Sequence, residues 1–142
     1  RRNLDPSPGS GRLDNMRGIP ADLRYTPEHE WIRVEAGEAV IGITDFAQNA
    51  LTDVGWVELP EVGSSLAANE SCGSVESVKS VSEIFAPIAG EVLAANEELE
   101  DAPEQINENP YGAGWIWRMA ISDTSDVDGL LDAESYRALI GE

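Results

Sequence analysis

The stretch Ser74-Val75-Glu76-Ser77-Val78-Lys79-Ser80-Val81-Ser82-Glu83 contains the chain's only lysine; every other basic residue is arginine. Val75, Val81 and Ile84 supply the β-branched side chains of two short strands, and the small polar residues from Ser77 to Ser80 suit the tight turn between them. Lys79 is therefore expected at an exposed hairpin tip. Beside apolar Val78, in a chain that otherwise relies on arginine, a lone primary amine reads as chemistry rather than surface charge. The competing reading is a solvated loop lysine left by compositional bias.

Moving outward, the flanks of this hairpin repeat each other. Residues 57–70 (VELPEVGSSLAANE) align without a gap on residues 84–97 (IFAPIAGEVLAANE) at an offset of 27, sharing a proline, a glycine, a leucine and the whole Ala-Ala-Asn-Glu run. Pro60/Pro87 and Gly63/Gly90 are placed to do the same backbone work in each copy. Two similar β units packed face to face would leave the connecting hairpin projecting at one end. The expected fold is mainly β, a barrel-sandwich hybrid of two quasi-symmetric units with short helices and a C-terminal helix.

The remaining segments fit that frame. Alternation through Trp31-Ile32-Arg33-Val34-Glu35 and Ala39-Val40-Ile41-Gly42-Ile43 predicts a hairpin turning at Ala36-Gly37-Glu38. Thr44 is placed to cap a short helix with Phe46, Ala47, Ala50 and Leu51 on one side. Extended structure resumes from Gly55 to Pro60. Residues 96–110 are acidic and read as a solvated loop, with Pro103 opening a single helical turn. A turn at Tyr111-Gly112-Ala113-Gly114 leads into a strand over residues 115–121 that closes the barrel or sandwich. The end is helical: Asp132 is the N-cap, Tyr136, Leu139 and Ile140 form one face, Gly141 is the stop, and Leu131 staples against Tyr136. Residues 1–18, rich in Gly, Pro, Ser and Arg, read as a disordered extension or a remnant of expression, with a transit peptide as the weaker alternative. Residues 19–142 then form a single domain.

Composition excludes several function classes. The chain has 142 residues, with Lys+Arg 9 against Asp+Glu 27 and a net charge of −18. Such a charge argues against nucleic acid and anionic membranes, and suits docking onto basic partner surfaces. No stretch is apolar enough to span a bilayer. Cys72 alone cannot form an internal disulfide and suits a reducing compartment; a small buried strand residue is the favoured reading over a reactive thiol. His29, the only histidine, has no second histidine four residues on, so it is assigned to a strand edge or the core, and no metal site is expected. No Gly-rich phosphate loop is present. A Schiff-base lysine needs a desolvated pocket, the opposite of a serine-rich tip.

A two-fold β unit with a lysine at its hairpin tip resembles the lipoyl and biotinyl carrier domains. The stretches Tyr25-Thr26-Pro27-Glu28-His29-Glu30-Trp31, Ile41-Gly42-Ile43-Thr44-Asp45, Val57-Glu58-Leu59-Pro60-Glu61-Val62-Gly63, Glu76-Ser77-Val78-Lys79, Ala86-Pro87-Ile88-Ala89-Gly90, Ile106-Asn107-Glu108-Asn109-Pro110-Tyr111 and Leu131-Asp132-Ala133-Glu134-Ser135-Tyr136 go further. Together, from about Leu23 onward, they resemble the H protein of the glycine cleavage system.

This resemblance implies a carrier rather than an enzyme, with lipoic acid in amide linkage on Lys79. It also implies the partners: a PLP-dependent glycine decarboxylase (P protein), an aminomethyltransferase (T protein), dihydrolipoamide dehydrogenase (L protein) and a lipoyl or octanoyl transferase or ligase. The arm would take an aminomethyl group from the first to the second and electrons to the third. Glu30 and Glu83 are candidate contacts to the loaded arm, since its cationic amine would need carboxylates. A freely visiting monomer in the bacterial cytoplasm is expected, with the mitochondrial matrix as alternative. Departures from the family pattern are Ser80 for a common alanine, Thr52 for a common glycine, Trp56 for a smaller residue, and Phe46 where some members have histidine. Rival readings are a lipoate-relay relative, a lipoyl domain of a 2-oxoacid dehydrogenase, a biotin carrier, and an unmodified β binding module. Val78 and Ser80 flank Lys79 where biotin carriers place methionines, and the capped terminal helix separates the chain from dehydrogenase lipoyl domains.

Overall fold

The computed structural model describes residues 19–141; the expectation for residues 1–18 lies outside them. Nine strands form two antiparallel sheets among these residues. β1 (Arg24–Tyr25), β2 (Glu30–Glu35), β3 (Glu38–Ile43), β5 (Ser65–Leu66), β8 (Gly90–Ala95) and β9 (Trp117–Ala120) build one, in the order β1-β2-β3-β9-β8-β5. β4 (Val54–Glu58), β6 (Ser71–Ser77) and β7 (Val81–Phe85) build the other, in the order β4-β6-β7.

The repeat explains this arrangement. Each copy begins in the three-stranded sheet, as β4 or β7, and crosses into the six-stranded sheet, as β5 or β8. β4 and β7 flank β6, while β5 and β8 pair with each other. The two glycines both enforce the crossing, but for different reasons. Gly63 has φ +91° in an open turn, whereas a side chain on Gly90 would run into the Ala120 carbonyl of β9. Expectation and structure therefore agree on the residue and differ on the cause.

Ile41, Val57, Val75, Ile84, Val92 and Met119, drawn from six strands of both sheets, belong to one aliphatic core. The alternate face of β2 and β3 buries a second, aromatic cluster that includes Tyr25, Trp31, Val40, Tyr111 and Tyr136. The β2–β3 turn is Ala36-Gly37, with φ 52° and 82°, the two positive values a two-residue hairpin loop requires.

Five short helices complete the described residues: α1 (Asp45–Leu51), α2 (Glu98–Asp101), α3 (Gln105–Glu108), α4 (Thr124–Asp128) and α5 (Ala133–Leu139). The acidic segment 96–110 is not simply a solvated loop, because α2 and α3 each bury one apolar side chain completely, Leu99 and Ile106. The last strand is shorter than expected, four residues inserted between β3 and β8, with Ile116 joined by its N–H to the Ile41 carbonyl. Asp132 caps α5 as expected, accepting the Ser135 N–H. The packed face is Ala133, Tyr136 and Ile140, while Leu139 is half exposed. Helical period puts residues 133, 136 and 140 on one stripe and swings 139 to its side. Tyr136 stacks on Tyr25 at 4.7 Å. No helix of the described residues is long and apolar enough to cross a membrane.

Candidate functional site at the lysine hairpin

The β6–β7 turn is held by one serine. Ser77 Oγ accepts the N–H groups of Lys79 (3.2 Å) and Ser80 (3.1 Å), and the Ser77 N–H donates to the Ser80 carbonyl at 2.8 Å. This fixes the backbone while leaving Val78 and Lys79 in solvent. The Lys79 ammonium reaches back to donate to the Ala50 carbonyl, 3.2 Å away, on the last turn of α1, where unpaired carbonyls favour a cation.

Long-range contacts pin α1 at both ends. At its start Thr44 Oγ1 accepts the Ala47 N–H and lies 2.8 Å from the Tyr136 hydroxyl, and the Asp45 N–H donates to Tyr111 Oη at 2.9 Å. At its end Asn107 donates to Gln48 Oε1 (2.8 Å) and the Thr52 carbonyl (2.7 Å) while accepting the Val54 N–H (2.8 Å). Thr52, the C-cap, is forced to φ 64° and ψ −145°, a conformation that favours glycine.

Between α1 and the free edge of β7 runs a groove of about 260 Å³. Phe46, Ala47, Ala50 and Leu51, expected on one side of the helix, form one wall, and Val81 to Ile84 form the other. Glu30 and Glu83, singled out from sequence far apart in the chain, both line it. Their environments differ. Glu83 is exposed and accepts the Ser71 hydroxyl at 2.7 Å. Glu30 is 1% exposed, with Oε1 accepting the Thr26 hydroxyl (2.6 Å) and Oε2 the Phe85 N–H (3.0 Å). Burial raises its pKa to about 7, against the opposing pull of those two hydrogen bonds. It is not a group that merely solvates the surface.

His29 occupies neither a strand edge nor the core. It sits in the turn before β2 at φ 73°, half-buried, with Nδ1 at 2.8 Å from the Tyr136 hydroxyl and its ring 4.8 Å from Phe46. Its pKa is lowered by burial. Cys72 is half-buried on β6, and burial pushes its thiol up to about 12, so it is inert as a nucleophile at neutral pH. The residues that sequence reasoning missed are Thr26, Asn107 and Tyr111, which hold Glu30 and α1 in place. Each acts across the chain or through a turn, and no local spacing signals it.

The whole length from β1 to the C-terminus matches one pattern: the glycine cleavage H-protein profile covers residues 23–142. The chain belongs to the glycine cleavage H-protein family. The glycine cleavage system H protein of Anoxybacillus flavithermus is 58% identical over 124 residues, which cover 87% of this chain and 98% of that one. That of Aeromonas salmonicida is 52% identical over 128 residues, covering 89% and 99%. A crystal structure of the H protein from Mycobacterium marinum superposes with a TM-score of 0.81 at 41% identity, covering 87% of this chain and all of that one. The barrel-sandwich architecture of this H-protein family member is thus the one expected from its sequence.

Proposed function

We propose that the chain is the lipoyl-bearing shuttle of the glycine cleavage system, with residues 19–142 as a single carrier domain and lipoic acid in amide linkage on Lys79. The observation that carries this reading is an exposed lysine on a hydrogen-bonded turn, beside a groove whose helical wall is apolar and whose lining includes three glutamates, Glu28, Glu30 and Glu83. An eight-carbon acyl chain with a dithiolane end suits such walls, and a cationic load suits Glu30 and Glu83. When bound, the group supplies a disulfide that accepts an aminomethyl unit and, as a dithiol, gives up two electrons.

The chain's own residues supply position and environment. Ser77 fixes the direction in which the arm leaves the surface. Acylation neutralises the Lys79 amine and leaves it a single N–H, so the charge on its contact with the Ala50 carbonyl is removed. Glu30, dry and held by Thr26 and Phe85, is pre-set to pair with one cation; Glu83 adds a second carboxylate at the solvent side. Tethering raises the effective concentration of the load at any docked partner. The partners are the PLP-dependent glycine decarboxylase, the aminomethyltransferase, dihydrolipoamide dehydrogenase and the enzyme that attaches the acyl group. On the bacterial relatives we assign the carrier to the bacterial cytoplasm, as a monomer.

Intact mass of the protein from its native host tests the attachment. The expected result is a lipoyl increment on the wild type, mapped to Lys79, and none on Lys79→Arg, which keeps the charge and cannot form the amide. A biotin increment, or no increment, would overturn the reading.

A further inference from the structure

The groove between α1 and β7 has a support that lies outside it. His29, one of its lining residues, stands in the turn before β2, and α1 is its helical wall. The Tyr136 hydroxyl, on α5 and 107 residues further along the chain than His29, lies 2.8 Å from His29 Nδ1 and 2.8 Å from Thr44 Oγ1, the N-cap of α1. One oxygen of the C-terminal helix touches both.

Counting hydrogens fixes the order of this relay. Thr44 Oγ1 is buried and already accepts the Ala47 N–H, so its own hydrogen goes to the Tyr136 hydroxyl oxygen within reach. The Tyr136 hydrogen then points to His29 Nδ1, which accepts it as a neutral ring protonated on Nε2. Protonation of His29 would place a hydrogen on Nδ1, reverse the order, and leave the Thr44 hydrogen buried without an acceptor among the described residues. Burial of the ring favours the same neutral form, against the pull of Glu28. Glu30 and Glu83 are the other carboxylates on the groove, while α1 turns Phe46 and α5 turns Tyr136 toward the ring, with centroids 4.8 Å and 5.8 Å away.

Packing keeps the hydroxyl on target. Tyr136 is completely buried and its ring stacks on Tyr25 at 4.7 Å. The Tyr25 hydroxyl points elsewhere and donates to the Pro20 carbonyl. The stacked pair therefore carries two buried hydroxyls, one tied to the groove and one not.

We propose that Tyr136 is a positioning residue for the arm: its hydroxyl fixes the α1 cap and the His29 ring as one unit, and so sets how long the groove keeps the aminomethyl-loaded arm from water. The inference rests on the carrier reading for the arm, and on the relay alone for the coupling. Tyr136 is not part of the groove lining, so it acts through Thr44 and His29.

The first test uses the unmodified full chain. Tyr136→Phe keeps the ring and its stacking and removes one oxygen. NMR of the His29 ring should show Nδ1 losing its hydrogen bond and the pKa rising, and the Ala47 amide, whose acceptor is Thr44, should exchange about threefold faster. Tyr25→Phe removes the other hydroxyl of the pair and should move neither. The second test uses lipoylated protein carrying the aminomethyl load, with ammonia release as the readout. Tyr136→Phe should shorten the lifetime of the load about threefold, and Tyr25→Phe should leave it unchanged even where both variants lower Tm equally. His29→Asn, which tolerates the positive φ, should also shorten it, and adding Tyr136→Phe to His29→Asn should cost no more than the more damaging single change. A wild-type lifetime in Tyr136→Phe would overturn the proposal. Equal shortening by the two Phe variants would reduce it to a stability effect and overturn it too, as would additive losses in the double variant. An unchanged His29 ring in Tyr136→Phe would remove the relay whether or not the chain is lipoylated. Absence of a lipoyl increment would sink the carrier reading, and the arm's part of the proposal with it, while the ring and amide readouts still decide the relay, so the two failures are distinguishable.

Discussion

The two edges of the β4-β6-β7 sheet carry two grooves of opposite character. Beside β7, the carboxylate of Glu30 is buried, both its oxygens accept hydrogen bonds, and its pKa is raised to about 7. Beside β4, in a groove of about 600 Å³, Glu58, Glu61, Glu97 and Glu100 are in water around the exposed indole of Trp56. A buried carboxylate interacts strongly with one well-placed cation and is sensitive to pH, whereas exposed ones attract from a distance and are screened by salt. The difference suits two tasks on one small protein: holding a load, and meeting a partner.

The largest effect that can break this contrast lies in Glu30. Its folded-state pKa is above the ordinary carboxylate value, so the unfolded chain loses the proton first as pH rises, and folding stability contributed at this site falls between about pH 4.5 and about 7. The total is roughly 3 kcal/mol. Urea unfolding of the unmodified protein at pH 5 and pH 7.5 should show that component, and Glu30→Gln should remove it. A Glu30→Gln profile with the wild-type slope would mean that the β7 groove is no drier than the β4 groove.

Next in size is the hold on a loaded arm. Glu30→Ala combined with Glu83→Ala should shorten the lifetime of the loaded arm in water by about tenfold, since charge-assisted hydrogen bonds of this kind are worth about 1.5–3 kcal/mol. Glu83→Ala alone should do less, its carboxylate being exposed. An unchanged lifetime in the double variant would remove both residues from the hold.

A smaller effect concerns the helical wall of the β7 groove. Thr52 ends α1 in a backbone conformation that disfavours a β-branched residue, so Thr52→Gly should raise stability by about 1 kcal/mol, read as a higher Tm. Smallest is the effect of ionic strength. Raising salt should weaken docking at the exposed carboxylates a few-fold and leave the Glu30 pH component nearly unchanged, because buried charges are poorly screened.

Features governed by neighbours in the chain were legible before the structure. The β2–β3 turn, expected over Ala36-Gly37-Glu38 and found one residue shorter because Glu38 already pairs with Glu35, the Thr44 and Asp132 caps and the offset repeat each rest on local stereochemistry. The acidic run around Leu99 and Ile106 was misread because single apolar residues in a charged segment show no period; burial there comes from packing onto the rest of the fold. Leu139 failed for the related reason that a short helix can present several stripes and only the docking angle selects one. At the site, Lys79 was legible as a lone amine on a turn. Glu30 was nominated through the family pattern, but its burial was not foreseen, because the Phe85 N–H that donates to its carboxylate lies 55 residues away. The Trp56 groove left only a faint sign, a large aromatic residue where the family pattern has a smaller one.

The measurement closest to the central claim is glycine-dependent NADH formation in a mixture of glycine decarboxylase, aminomethyltransferase, dihydrolipoamide dehydrogenase, tetrahydrofolate and this chain. Wild-type protein shown by mass to be lipoylated should support turnover, and Lys79→Arg passed through the same lipoylation reaction should support none. Turnover with Lys79→Arg, or none with the loaded wild type, would contradict the assignment of Lys79 as the carrier position of a glycine cleavage shuttle.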